Sequence, residues 1–416
     1  LLSLAKFAGV FALVLVVGTV FGQSLSLPTT LKGKIPFDFE TLSKIPEFKW
    51  VNKKESVWSL FYEGEKFKGR QTEVFAYYAS PATLSGIKKS KEKYPAIVAV
   101  HGGGGTAFAV WVRDWAKKGY AAIAMDLGGA KPLPEKEQKY PWSTNSNHLL
   151  NGAPDDTDVH KFYSIDKDFS EQWQFHAVSN IIRAHSLIRS FSEVDTSKTA
   201  VTGISWGGYL TNIIAGIDHR FKAAIPIYGC GFLQEKSAWL SHFDSLGLEN
   251  SKKWIKLWEP SAYVGNTQMS MLFINGTNDF AYHAESWQKT VDLVPHAKQL
   301  FIYEMKHNHE RGAEPAEIEH FFKKVFDGKE IKPSLGTPRM IGKWFEAYIK
   351  NGEGIQKAQF IYTEDTVKNK ERKWEVSPAA IKGNSLIVEA SHDIKLAYFL
   401  VTDAKGMRYS SPLVIN

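Results

Sequence analysis

Between residues 94 and 326 the sequence alternates short runs that are apolar on both faces with longer stretches of helical period. The runs are Ala96–Val100 (AIVAV), Tyr120–Met125 (YAAIAM), Thr199–Gly203 (TAVTG), Ala223–Ile227 (AAIPI), Met271–Ile274 (MLFI) and Gln299–Tyr303 (QLFIY). Each is too short for a buried helix, and each lacks the polar–apolar alternation of a strand with one wet face. They read as parallel strands covered on both sides. Between them, AFAVWVRDWAKKG, EQWQFHAVSNIIRAHSLIRSF, GGYLTNIIAG, HAESWQKTVDLV and AEIEHFFKKVF read as helices. Strand and helix in strict alternation predict an α/β protein with a doubly wound, mostly parallel sheet.

Two segments interrupt the pattern. Gly128–Glu171 is rich in turn residues and poor in apolar runs, and an insertion that long reads as a functional cap. Phe232–Tyr263 is a second, partly helical excursion. Beyond Gly328 the period changes to two, in KWFEAYIK, AQFIYTED, SLIVEAS, KLAYFLVTD and MRYSSPLVI. Those short strands predict a small all-β, sandwich-like domain over 335–416, joined through IKPSLGTP to a catalytic domain over 23–330. Such a module should be separable, so that removal of Lys332–Asn416 leaves a folded α/β domain.

The first residues, LLSLAKFAGVFALVLVVGTVFGQ, place one Lys before an apolar stretch from Phe7 to Val17 and small residues near Gly22. They read as a signal peptide over 1–22, cut after Gly22. Phe7–Phe21 is only 15 residues, short for a membrane span, so no permanent anchor is expected and the mature chain should work secreted or in the periplasm. Cys230 is the only cysteine, which excludes an intrachain disulfide and a cysteine metal cage. The net charge of +7 is spread thinly through mixed runs such as KKSKEKY, which argues against a nucleic-acid partner.

The chemistry centres on VTGISWGGYL, Val201–Leu210, where Gly203, Ser205 and Gly207 fall at alternate positions between a strand and a helix. A serine on such a turn is a candidate nucleophile, because only glycine at the flanking positions lets the neighbouring chains approach. The Trp206 N–H at the helix start is then one oxyanion donor. VHGGGG after the Ala96–Val100 strand supplies a second, Gly103 first and Gly104 as the alternate. No Walker-type Gly-Lys-Ser/Thr follows these glycines, so a phosphate cradle is disfavoured.

A carboxylate must follow on a later strand, and MLFINGTNDF gives Asp279 on the loop after Ile274. Asn278 lacks the charge to orient a histidine, and Asp292 lies within a helix as a solvated carboxylate. The base must follow again, and QLFIYEMKHNHERG offers His307, with His309 as the alternate. The order Ser, Asp, His along the chain predicts that Ser205 attacks, the histidine moves its proton and Asp279 holds the imidazole. The His-x-His pair has no third ligand at suitable spacing, so neither a metal nor another cofactor is expected. His176 and His185, on one helix, read as surface or packing residues.

VHGGGG, GYAAIAMD, VTGISWGG, INGTND and HNH together resemble the α/β-hydrolase superfamily from about Tyr94 to Phe326, a little over half the chain. Within it the sequence is most similar to secreted acetyl xylan esterases and related dienelactone-hydrolase-like and prolyl-oligopeptidase-like serine hydrolases. These motifs are specific for fold and nucleophile and poor for substrate. The branch's Gly-His-Gly or Gly-His-Glu around the base is absent here, which leaves His307 and His309 both open, although Met305 two residues before His307 matches the branch. The resemblance implies an ester substrate, an acylated poly- or oligosaccharide. Trp142 and Trp206 read either as rings that stack on sugars or equally as core residues, and Trp111 and Trp115, on a helix, as core. Two other readings compete. A prolyl-oligopeptidase-like peptidase usually carries a propeller, which cannot fit between Gln23 and Tyr94. A catalytically dead carbohydrate-binding protein would not require the intact Ser, Asp, His order.

Overall fold

The computed structural model describes residues 35–87, 90–390 and 393–416. The signal peptide expected over 1–22 lies outside them. Nine strands form the central sheet: β1 (Phe48–Asn52), β2 (Trp58–Glu63), β3 (Glu73–Ala79), β4 (Tyr94–Val100), β5 (Ala121–Met125), β6 (Val194–Ile204), β7 (Ala223–Ile227), β8 (Ser270–Gly276) and β9 (Lys298–Ile302). Their order is β1-β2-β3-β5-β4-β6-β7-β8-β9. From β5 to β9 every pairing is parallel, while β1, β2 and β3 extend one side antiparallel. All the strands expected from two-faced apolar runs are present, and the fold is the doubly wound, mostly parallel α/β sheet.

Burial accounts for the register. β5 and β7 are buried at every position, as strands with helices on both faces must be. The helix Trp173–Ser190 and the helix Trp206–Ile217 supply much of that cover. The chain moves from β4 outward to β5, then returns to place β6 on the other side of β4. Such a reversal leaves a crevice beyond the carboxyl ends of β4 and β6, where open α/β sheets bind ligands. The glycine-rich loop follows β4, and Ser205 follows β6.

The insertion over 128–171 contains a short hairpin, Ala130–Pro132 against Ser146–His148, and a π-helical turn at Val159–Tyr163. The second excursion is mainly the helix Leu240–Trp258, broken at Gly247, where φ is +71°. No helix among the described residues is long and apolar enough to cross a membrane.

Beyond Ser334 the chain forms two five-stranded antiparallel sheets. One is built on Trp344–Lys350 with Ser385–Glu389, the other on Ile355–Thr363 with Leu396–Asp403. Phe345, Ile349, Phe360, Leu386 and Phe399 fill the space between them. The second sheet is also buried on its other face: Ile361, Trp374, Leu396, Tyr398, Leu400 and Leu413 join the core of the α/β unit. Tyr398 and Trp374 lie 5.2 Å and 5.9 Å from the Phe301 ring of β9. Arg408 pairs with Glu317 at 2.8 Å, and the Ser410 hydroxyl accepts from Phe301 N–H at 2.8 Å. The expectation of a separable module is therefore revised, because period two places alternate residues of one sheet in two different cores.

Candidate active site

Ser205 joins β6 to the helix Trp206–Ile217 with φ +60° and ψ −119°, a conformation that costs a non-glycine residue on the order of 1–3 kcal/mol. The turn needs its two glycines. A Cβ at Gly203 would stand 2.2 Å from the Gly207 carbonyl oxygen, and one at Gly207 would stand 2.1 Å from that of Val100. The Ser205 N–H donates to Ile227 at 2.9 Å, which ties the elbow to β7. As the first N–H of a helix, that of Trp206 has no intrahelical acceptor and adds to the positive end of the helix dipole.

Asp279 is buried on the loop after β8, and both its oxygens are committed. Oδ1 accepts from the Ala281 and Tyr282 N–H groups, each at 2.8 Å, and Oδ2 contacts His307 Nδ1 at 2.6 Å. His307 stacks on Tyr228, ring centroids 4.2 Å apart, with Phe280 at 4.9 Å on its flank. Tyr228 directly follows the residue that holds Ser205. Tyr282 is fully buried with its ring parallel to that of His307 at 6.2 Å. Its hydroxyl is buried with no hydrogen-bond partner among the described residues.

His309 is turned elsewhere. Its Nε2 accepts the Gly102 N–H at 2.9 Å, and its ring lies 4.9 Å from Phe108. Burial, reinforced by the neighbouring His101 and His307, pushes His309 down to about 3, so it stays neutral and serves as an acceptor. Of the two histidines left open by the sequence, His307 is the one joined to Asp279.

The glycine-rich loop is held at both ends. Gly102 N–H is taken by His309, and Gly104 N–H donates to Asp156 Oδ2 at 2.6 Å. Gly105 N–H returns to the Gly102 carbonyl at 3.0 Å. Among the described residues Gly103 N–H alone of this loop has no hydrogen-bond partner. Gly104, the alternate oxyanion donor, has its N–H engaged by the Asp156 carboxylate.

Sequence reasoning missed Asp156 and Lys161, both on the insertion. Lys161 is buried, with Nζ 3.5 Å from Asp156 Oδ2 and 4.8 Å from the Trp206 ring centroid. Burial lowers its pKa, and Asp156 opposes that effect. A run of acids in PDDTDVHK with one lysine behind it was the available signal, but an aperiodic loop does not say which side chains turn inward.

The remaining aromatic and histidine expectations divide. Trp111 and Trp115 are core residues. Trp206 is core as well, packed on Trp239 at 4.7 Å and Tyr209 at 4.8 Å, which is the core alternative of the two readings open for it. Trp142 is half-buried and lies 5.0 Å from Phe108. His176 and His185 are both fully buried packing residues, which removes the surface alternative. His185 bridges Asp218 at 2.8 Å and Thr199 at 2.9 Å. The described residues contain no cluster of three His, Cys, Asp or Glu able to hold a metal ion.

A family model described as Acetyl xylan esterase (AXE1) matches residues 43–243, and one described as Prolyl oligopeptidase family matches residues 161–328. The chain is 24% identical over 188 residues to the acetyl esterase Axe7A of Xylanibacter ruminicola, an alignment covering 42% of this chain and 38% of that protein. It thus spans well under half the length of the curated relatives it matches. Among solved structures, an acetyl xylan esterase from Paenibacillus sp. R4 superposes with a TM-score of 0.51 at 19% identity, covering 69% of this chain and 91% of the other. Acetyl xylan esterase 1 from Thermoanaerobacterium sp. superposes with a TM-score of 0.52 at 15% identity, covering 73% and 96%.

Proposed function

This chain has the α/β-hydrolase fold, and from that premise we propose that it is a secreted serine esterase that removes acyl groups, acetyl first among them, from poly- or oligosaccharides. The observation that carries the reading is the strained Ser205 elbow, tied to Ile227, with the next residue, Tyr228, stacked on a His307 that is paired with buried Asp279. In this mechanism Ser205 Oγ attacks the ester carbonyl carbon while His307 takes its proton through Nε2. Asp279 holds Nδ1–H and fixes the tautomer. The tetrahedral oxygen lies between the N–H groups of Gly103 and Trp206, and its collapse expels the sugar hydroxyl, protonated by His307. Water then releases the acid from the acyl-serine by the same steps in reverse order of partners. The acetyl xylan esterase match and the leader-like first residues support the substrate class and the export.

A second reading, a serine peptidase, is favoured by the prolyl oligopeptidase match over residues 161–328. Acetate release from acetylated xylan, set beside cleavage of a panel of aminoacyl anilides, separates the two. Turnover of xylan acetate with inert anilides supports the esterase, and the converse result replaces it with the peptidase.

A further inference from the structure

The loop that carries Asp279 is gripped by the C-terminal β module. Residues Asn369–Glu371 form a 3-10 turn between two strands of that module and reach across to the α/β unit. Asn369 is 1% exposed, and its Nδ2 donates to the Asp279 backbone carbonyl at 2.7 Å. One residue earlier on the acid loop, Asn278 Nδ2 donates to the Arg372 carbonyl at 2.7 Å. In the first turn of the next helix, Glu285 forms a bidentate pair with Arg372, at 2.5 Å and 3.1 Å. Burial alone would raise the Glu285 carboxyl, but hydrogen bonds and charge from Arg372 outweigh it and bring the group down to about 2. Arg372 Nη1 also donates to Asn369 Oδ1 at 3.1 Å, so both halves of the Asn369 amide are used.

Four residues of the module, 369–372, therefore hold three points on the segment 278–285. That segment carries Asp279, Phe280 and Tyr282, all of which face His307. The Asp279 carboxylate is oriented by N–H groups of its own loop, and the loop as a whole is fixed in space by the module. A buried amide donor matched to a carbonyl has one favoured geometry, so the contact sets position as well as affinity.

We infer that the β module is a working part of the catalytic site, with Asn369 a positioning residue that holds the Asp279 loop in register with His307. This rests on the proposed triad. The role differs from that of an appended sugar-binding domain, because loss of the contact lowers turnover on a small ester that touches no part of the module. Displacement of an orienting group by about 1 Å costs on the order of a hundredfold in rate.

The test compares wild type, Ser205→Ala, Asn369→Ala, Asn369→Gln and Asn278→Ala on p-nitrophenyl acetate. The proton resonance of His307 Nδ1–H, far downfield when that hydrogen bond is short, is recorded for each. For Asn369→Ala the inference expects kcat to fall roughly ten- to a hundredfold with KM unchanged, and the downfield proton to broaden or vanish. Asn369→Gln, which keeps the amide donor, recovers part of both. Asn278→Ala, which removes the neighbouring bond and leaves Asn369 intact, gives a smaller loss of the same kind if Asn369→Ala fails to fold. An unchanged resonance in folded Asn369→Ala overturns the inference whatever the enzyme turns over, as does unchanged kcat while Ser205→Ala is dead. Full activity of Ser205→Ala, by contrast, overturns the proposed triad, and the resonance still reports on the clasp.

Discussion

Deletion of residues 332–416 is expected to unfold the α/β unit. Six side chains from the deleted segment lie in its core: Ile361, Trp374, Leu396, Tyr398, Leu400 and Leu413, each 7% exposed or less. At about 1.5–3 kcal/mol for a buried large side chain, the contact they make is worth roughly 9–18 kcal/mol. Packed faces are complementary, so deletion uncovers a similar apolar area around Phe301 on the part that remains. Domain stabilities are only about 5–15 kcal/mol in total. The deletion also removes Arg408 from Glu317 and Arg372 from Glu285, two carboxylates now paired and largely buried. A graded version is Trp374→Ala, whose ring packs on Phe301 and Tyr398 and whose loss should cost about 3–5 kcal/mol. Soluble yield, circular dichroism and urea denaturation followed by tryptophan fluorescence measure both. A soluble, monomeric 1–331 chain that unfolds cooperatively near the wild-type midpoint would refute the reasoning, and so would a neutral Trp374→Ala.

Three further outcomes are expected. His307→Ala lowers kcat on p-nitrophenyl acetate by roughly three to six orders of magnitude, and His309→Ala costs far less, since it frees the Gly102 N–H without touching Asp279; steady-state kinetics of both variants exchange the roles if the losses are reversed. Gly207→Ala places a methyl group 2.1 Å from the Val100 carbonyl, so the elbow cannot close, and thermal melts together with ester turnover should both show severe loss. Stability falls as pH drops from about 6.5 toward 4. Burial holds His176 and His185 at about 4 and His309 at about 3, so these three take up protons only on unfolding. Glu259, raised by burial to about 7, acts in the opposite sense between 7 and 4.5. Three protons less one leaves two, so these four groups contribute a slope of up to about 2.7 kcal/mol per pH unit, and His219, His283 and His320, also lowered by burial, act in the same sense; urea midpoints between pH 6.5 and 4.5 measure it, and a flat profile contradicts it.

The strands of the parallel sheet were legible because a short run buried on both faces leaves no alternative in sequence, and Ala223–Ile227 is buried at every residue. β1 to β3 were not read. Phe48–Asn52 is an edge strand, mostly exposed and with no fully buried residue, so its pairing with β2 is what marks it as a strand. Ser205, Asp279 and a base at either His307 or His309 could be proposed from strand ends and chain order, which set where along the sheet a side chain emerges. The same logic could not separate His307 from His309, because their loop is set by where each ring finds a partner, Asp279 in one case and the Gly102 N–H in the other. Docking of the β module did leave a trace: KLAYFLVTD is apolar at odd and even positions alike, which a sandwich wet on its outer face does not require.

The central claim is that Ser205 is the nucleophile of an acyl-enzyme, and covalent labelling addresses it most directly. Wild-type protein is treated with a fluorophosphonate, assayed for residual turnover of p-nitrophenyl acetate and mapped by peptide mass spectrometry beside Ser205→Ala. The account predicts one adduct per chain, on the peptide containing Ser205, formed in step with loss of activity, and neither adduct nor turnover in Ser205→Ala. An adduct on another residue with activity lost, or turnover that survives in Ser205→Ala, contradicts it.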